Sequence, residues 1–115
     1  MAIIDKPSDF FNTKLYNGSG SNQSITGVGF QPDWVWIKER NGTNEHNLFD
    51  SVRGTTKRLE SSTNAAEQTS STTLTAFGSD GFTVGNNGGT GQSGGNYVAW
   101  NWKANGQGSS NTDGS

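Results

Sequence analysis

Residues 31–40 read Gln31-Pro32-Asp33-Trp34-Val35-Trp36-Ile37-Lys38-Glu39-Arg40, and this stretch decides the fold. Pro32 and Asp33 open a strand, and behind them apolar side chains alternate onto both faces: Trp34 and Trp36 on one, Val35 and Ile37 on the other. Successive strand residues point to opposite sides of a sheet, so a strand that is apolar on both sides is expected in the middle of one, covered front and back. The segment is read as a central strand of a sandwich.

Outward from it, Asn41-Gly42-Thr43-Asn44 reads as a turn, and His46 to Val52 as a strand carrying Leu48 and Phe49 before Arg53-Gly54. Upstream, Phe10 to Tyr16 forms a candidate strand ended by Asn17-Gly18-Ser19-Gly20, whose Asn-Gly pair suits a tight turn. Ser24 to Phe30 forms another, with Ile25, Val28, Phe30 and two glycines that suggest a bulge. Downstream, Thr55 to Ser71 has Leu59 as its only sizeable apolar side chain and is read as a long loop with one helical turn near Asn64 to Gln68. Leu74, Ala76 and Phe77, the turn Ser79-Asp80-Gly81, and Phe82 to Gly85 form a β-hairpin pattern. Gly85 to Asn96 is so rich in glycine that a flexible surface loop is expected. Tyr97 to Lys103 is the last strand, with Val98, Trp100 and Trp102 on one face and Tyr97, Ala99 and Asn101 on the other.

Short strands spaced in this way, in a chain of 115 residues, predict one all-β domain: a jelly-roll-like antiparallel β-sandwich with long polar loops. Residues 1–9 are expected to be an N-terminal arm, 10–104 the sandwich, and 105–115 a flexible tail or linker. Gly, Ser, Thr and Asn supply half the chain and only 28% of residues are hydrophobic, a composition that could mean disorder. Against that stand a modest 16% of charged residues, two prolines, and four Trp, six Phe and two Tyr, which together supply the buried surface of a compact fold.

The formal net charge is −2 with no Lys/Arg cluster, which argues against nucleic-acid or membrane partners. The chain has no cysteine, so neither a disulfide framework nor a thiolate metal site is available. No cofactor or metal is expected, and MAIIDKPSDF places a charge and a proline where an export signal needs an apolar run.

Catalytic groups are few. His46 is the one histidine, lies near a turn, and is read as exposed or loop-packing; no G-x-S-x-G signature accompanies it. Asp33, Glu39, Asp50 and Asp80 could in principle supply the carboxylate pair of a glycosidase. Asp33 at a strand start, Asp50 three residues before Arg53, and Asp80 before a glycine each have a simpler structural role. The 85–95 stretch lacks the Gly-Lys-Ser/Thr ending of a phosphate loop. The expectation is a protein that is not an enzyme. Trp34/Trp36 and Trp100/Trp102 form two W-x-W pairs, each confined to one face of a strand. At least one pair is expected in the core, with the other open to a subunit interface or to stacking on sugar rings.

Four segments carry a resemblance: Phe30-Gln31-Pro32-Asp33-Trp34-Val35-Trp36-Ile37-Lys38, Leu48-Phe49-Asp50-Ser51-Val52-Arg53-Gly54, Ser79-Asp80-Gly81-Phe82, and Asn96-Tyr97-Val98-Ala99-Trp100-Asn101-Trp102-Lys103-Ala104. In this order, over residues 10–104, the chain resembles a domain recurring in structural and fibre proteins of tailed phages, of the marine and cyanophage type. The resemblance implies a virion structural protein, as a capsid-surface decoration, fibre or tail module. Its partners would be other virion proteins, with homo-oligomers usual in such assemblies. A carbohydrate-binding adhesion module for host surface glycan is the alternative. Asp33, Trp34, Trp36, Asp50, Arg53, Trp100 and Trp102 are the framework or interface candidates, with Arg53 expected to pair with Asp50 or Asp33 and fix the corner at Gly54.

Overall fold

The computed structural model describes residues 10–104, so the expected arm and tail lie outside the described residues. It is all-β and antiparallel. Nine strands follow one another: β1 (Phe11–Asn17), β2 (Gln23–Ile25), β3 (Trp34–Glu39), β4 (Asn47–Asp50), β5 (Lys57–Arg58), β6 (Gln68–Thr69), β7 (Leu74–Gly78), β8 (Gly81–Val84) and β9 (Asn96–Trp102). They form a four-stranded sheet in the order β1-β9-β3-β4, a three-stranded sheet β2-β8-β7, and a small β5-β6 ribbon.

The first strand lies beside the last, and β2 beside β8 in the opposing sheet, so the chain wraps from sheet to sheet in the jelly-roll manner. On the other side β4 returns from β3 within the same sheet. The central position read for residues 34–39 is correct, because β3 sits between β9 and β4.

The two sheets close on Ile25, Val35, Ile37, Phe49, Leu74, Phe82, Val84, Tyr97 and Ala99. Val35 and Ile37 come from one face of β3 and meet Phe82 and Val84 from the opposite sheet, both sets being apolar at every second position. Tyr16 closes one end of this core, stacked on Tyr97 with ring centroids 5.3 Å apart and edge-on to Phe82 at 6.1 Å. Burial, and then the neighbouring Tyr97, push the Tyr16 phenol well above its ordinary value. It stays neutral and donates to the Thr90 carbonyl at 2.7 Å.

Three sequence expectations are corrected. Residues 55–71 contain the β5-β6 ribbon and no helical turn, because Leu59 pairs with Leu48 in both directions and ties the segment to the edge of β4. Of the stretch 24–30 only Ser24 and Ile25 pair, within β2; Gly27 and Gly29 adopt φ of 84° and 94°, which turns the chain away from the sheet. The glycine-rich segment is anchored, not loose. Its backbone bonds Gly18 and Gly20 on β1's exit loop and Thr73 before β7, and the Tyr97 hydroxyl donates to the Gly88 carbonyl at 2.7 Å while accepting from Gln92 N–H at 3.0 Å. Gly85, Gly89, Gly91 and Gly95 are buried there, where a Cβ would collide with the Thr72 backbone, the Asn47 amide, the Gly85 carbonyl and the Tyr97 ring respectively.

Candidate functional site

Because β3 carries Val35 and Ile37 inward, Trp34 and Trp36 must point outward. The same alternation in β9 sends Tyr97, Ala99 and Asn101 in, and Val98, Trp100 and Trp102 out. Register then joins the two pairs: Trp34 faces Trp102 and Trp36 faces Trp100 across neighbouring strands. The expectation that one pair lies in the core is overturned. All four indoles share the solvent face of the larger sheet, and the inner face is filled by smaller side chains that interdigitate with the opposing sheet.

The neighbouring strands extend this face. On β1, Phe11, Thr13 and Leu15 stand opposite Trp102, Trp100 and Val98. On β4, Asp50 and Leu48 stand opposite Trp34 and Trp36. Trp34 is 40% exposed, Trp102 37% and Leu15 57%, so the patch is apolar and open to solvent. Its rings pack edge to face: Trp34 and Trp102 lie at 86° with centroids 6.5 Å apart, Trp36 and Trp100 at 72° and 5.7 Å. The tilts leave an open cleft of about 370 Å³ between Trp34, Trp36 and Trp102 and one of about 250 Å³ between Trp36, Trp100 and Trp102. His46 packs against the edge of this set and accepts a hydrogen bond at Nδ1 from Trp36 Nε1 at 2.8 Å. It is half-buried, a packing residue that fixes one indole in place.

The carboxylates serve the frame. Asp33 accepts from Ser51 Oγ at 2.9 Å and from the Ala104 backbone N–H at 2.8 Å, so it ties β3's start to the β4 exit and the β9 exit. Arg53 pairs with Asp50, not with Asp33; its backbone N–H and Nε bond the two Asp50 oxygens, Nη1 reaches Glu67 at 2.9 Å, and Nη2 the Leu48 carbonyl at 3.2 Å. Partial burial pushes the Asp50 carboxyl up, but the backbone N–H and guanidinium of Arg53 outweigh it and hold the group below its ordinary value. Gly54 donates to the Asp50 carbonyl at 3.1 Å with φ of 94°, which makes the corner expected there. Glu39 is buried, bonded by Asn44 Nδ2 at 2.8 Å and Gln92 Nε2 at 2.6 Å.

Residues 6–115 match the family model described as Domain of unknown function (DUF7483). The chain belongs to that family. No curated protein and no solved structure matches it.

In this DUF7483 chain the structure brings Trp34, Trp36, Trp100 and Trp102 together and sets Asp33, Asp50 and Arg53 at the rim of the same sheet as braces. Phe11, Leu15, Val98 and His46 complete the face; Val98 was read beside Trp100 and Trp102 and His46 as exposed or loop-packing, whereas Phe11 and Leu15 went unrecognised in the sequence. The alternation of Phe11, Thr13 and Leu15 against Asn12, Lys14 and Tyr16 was visible there; what was missing was the pairing of β1 with β9, a contact between the two ends of the domain. Among the described residues no group of three or more His, Asp or Glu is placed to hold a metal ion.

Proposed function

We propose that this chain is a structural module of a bacteriophage virion that docks through its tryptophan face onto a second copy of itself, other virion proteins meeting its remaining surface. The observation that carries the docking is the placement of both W-x-W pairs, in register, on the open side of a sheet. Contiguous aromatic patches of this kind mark protein contacts on soluble domains, and Trp is enriched at the centre of such interfaces. The tryptophan clefts are almost wholly apolar, which suits a protein surface better than a sugar, whose hydroxyls need polar partners beside the stacking ring. The virion assignment is supported by the order and wording of the four motifs across residues 10–104.

A second copy fits because the face is self-complementary. Its outward residues form three rows across the strands: Phe11-Trp102-Trp34-Asp50, Thr13-Trp100-Trp36-Leu48, and Leu15-Val98-Lys38 with His46 preceding β4. A two-fold axis along the middle row sets Trp34 of one copy against Lys38 of the other, Phe11 against Leu15, and Asp50 against His46. A two-fold axis along the strands would instead set Phe11 against Asp50, a carboxylate on an apolar ring, which disfavours it.

Purified particles of the phage that encodes the chain test the virion reading. The chain is expected as a stoichiometric component, with density covering the tryptophan face; its absence from particles would overturn the assignment.

A further inference from the structure

Away from the tryptophans, Asn44 and Glu45 from the β3-β4 loop, Arg58 and Glu60 from β5 and the residues after it, and Asn87 from the glycine-rich segment surround a cavity of about 240 Å³. It shares no lining residue with the tryptophan clefts and is polar where they are apolar.

The protein's own bonds hold these groups in place and leave specific atoms unused. Asn44 Nδ2 donates to Glu39 Oε1 at 2.8 Å and to the Gly88 carbonyl at 3.0 Å, which fixes the amide and leaves Oδ1 without a partner among the described residues. Asn87 Oδ1 accepts from Gly89 N–H at 2.8 Å, and its Nδ2 is left over. Glu45 spends one oxygen on Ser62 Oγ and keeps the other. Arg58 is pinned at both ends of its fork, Nη1 to Asn47 Oδ1 at 3.0 Å and Nη2 to Gln68 Oε1 at 2.7 Å, yet its buried Nε has no partner. Glu60 accepts at Oε2 from Thr63 Oγ1 at 3.1 Å, while its Oε1 lies 3.5 Å from Arg58 Nη2, too long for a good hydrogen bond.

The free atoms are therefore mixed: Asn87 Nδ2 can donate, while Asn44 Oδ1, Glu45 and Glu60 Oε1 can accept. An anion would face two carboxylates, and a simple ammonium would leave the Asn87 donor unmet. Vicinal hydroxyls, each able to donate and accept, match the whole set. We infer that this cavity is a binding site for a saccharide residue, held by hydrogen bonds to its hydroxyls. The docking of tryptophan faces is a separate matter, since the two surfaces have no residue in common.

The test is a titration of the isotope-labelled full chain with methyl glycosides of glucose, galactose, mannose and N-acetylglucosamine, followed by amide and side-chain NMR. Saturable shifts are expected, with at least one glycoside, at the Asn44 and Asn87 amides and the Gly88 and Gly89 backbone. Asn87→Asp keeps the acceptor for Gly89 and converts the free donor into an acceptor, so it should weaken binding by about tenfold, the worth of one hydrogen bond. Glu45→Gln, at an exposed position, is the second variant and should weaken binding while leaving the spectrum otherwise native. Unmoved cavity resonances with every glycoside would overturn the assignment. So would shifts confined to the indole Nε1–H signals, or binding unchanged in both variants. Self-association is read independently by sedimentation, so failure of one proposal leaves the other standing.

Discussion

Asp80 has a fully exposed carboxyl, yet both of its oxygens are committed: Gly27 N–H donates to Oδ2 at 2.9 Å and Gly29 N–H to Oδ1 at 2.7 Å. Those two backbone donors hold the carboxyl below its ordinary value, with Lys14 adding to the effect. In the unfolded chain the group returns to about 3.9, so near that value the unfolded state binds more protons than the folded one. The stabilisation is complete above the unfolded value and is lost as pH falls through the folded one. Asp80→Ala should lower the melting temperature at neutral pH and flatten the acid limb of a melting-temperature profile; parallel acid limbs in variant and wild type would contradict the role. At Gly91 the constraint is steric, because a Cβ there would stand 2.1 Å from the Gly85 carbonyl oxygen. Gly91→Ala should cost roughly 1–3 kcal/mol in urea unfolding, as overpacking against fixed backbone does. A cost near zero would mean that the glycine-rich segment yields.

At the scale of elements, the β7-β8 hairpin and its Ser79-Asp80 turn were readable because turn residues and strand residues are adjacent in sequence. The central place of β3 was readable too, from apolar side chains on both its faces. Which face looks inward was not readable, since Trp34/Trp36 and Val35/Ile37 are equally apolar and periodicity is blind to what each face meets. Only the pairing of β3 with β9, and the fit of small side chains against the second sheet, decides it. The cavity residues were hidden for a similar reason: Asn44, Arg58 and Asn87 look like ordinary loop and strand polar residues until three segments converge. The glycine-rich segment misled because its composition permits many conformations, whereas the Tyr97 hydroxyl and buried backbone bonds select one. Tyr97→Phe removes both hydroxyl bonds from a fully buried site, leaving the Gln92 N–H without its partner and the Gly88 carbonyl with Asn44 Nδ2 alone. A loss of about 1–3 kcal/mol is expected, with faster amide exchange at residues 88–95 as the local signature; unchanged exchange there would show that the segment is held by other means.

For the whole molecule, the tryptophan face spans four strands at roughly 4.8 Å spacing and about 24 Å of strand length, so two faces in contact bury on the order of 900 Å². That is below the roughly 1,200 Å² at which stable interfaces begin. The pair should therefore associate reversibly and weakly alone, and firmly only where further contacts in a particle add to it. The indoles lie outside the core, which their inner neighbours fill. The direct measurement is sedimentation velocity over a concentration series, wild type against a Trp34→Ser/Trp102→Ser double variant with matching circular dichroism. A concentration-dependent shift toward dimer in the wild type, abolished in the variant, is the expected result. A wild type that stays monomeric throughout, or a variant that associates equally well, would contradict docking of the chain on itself through this face.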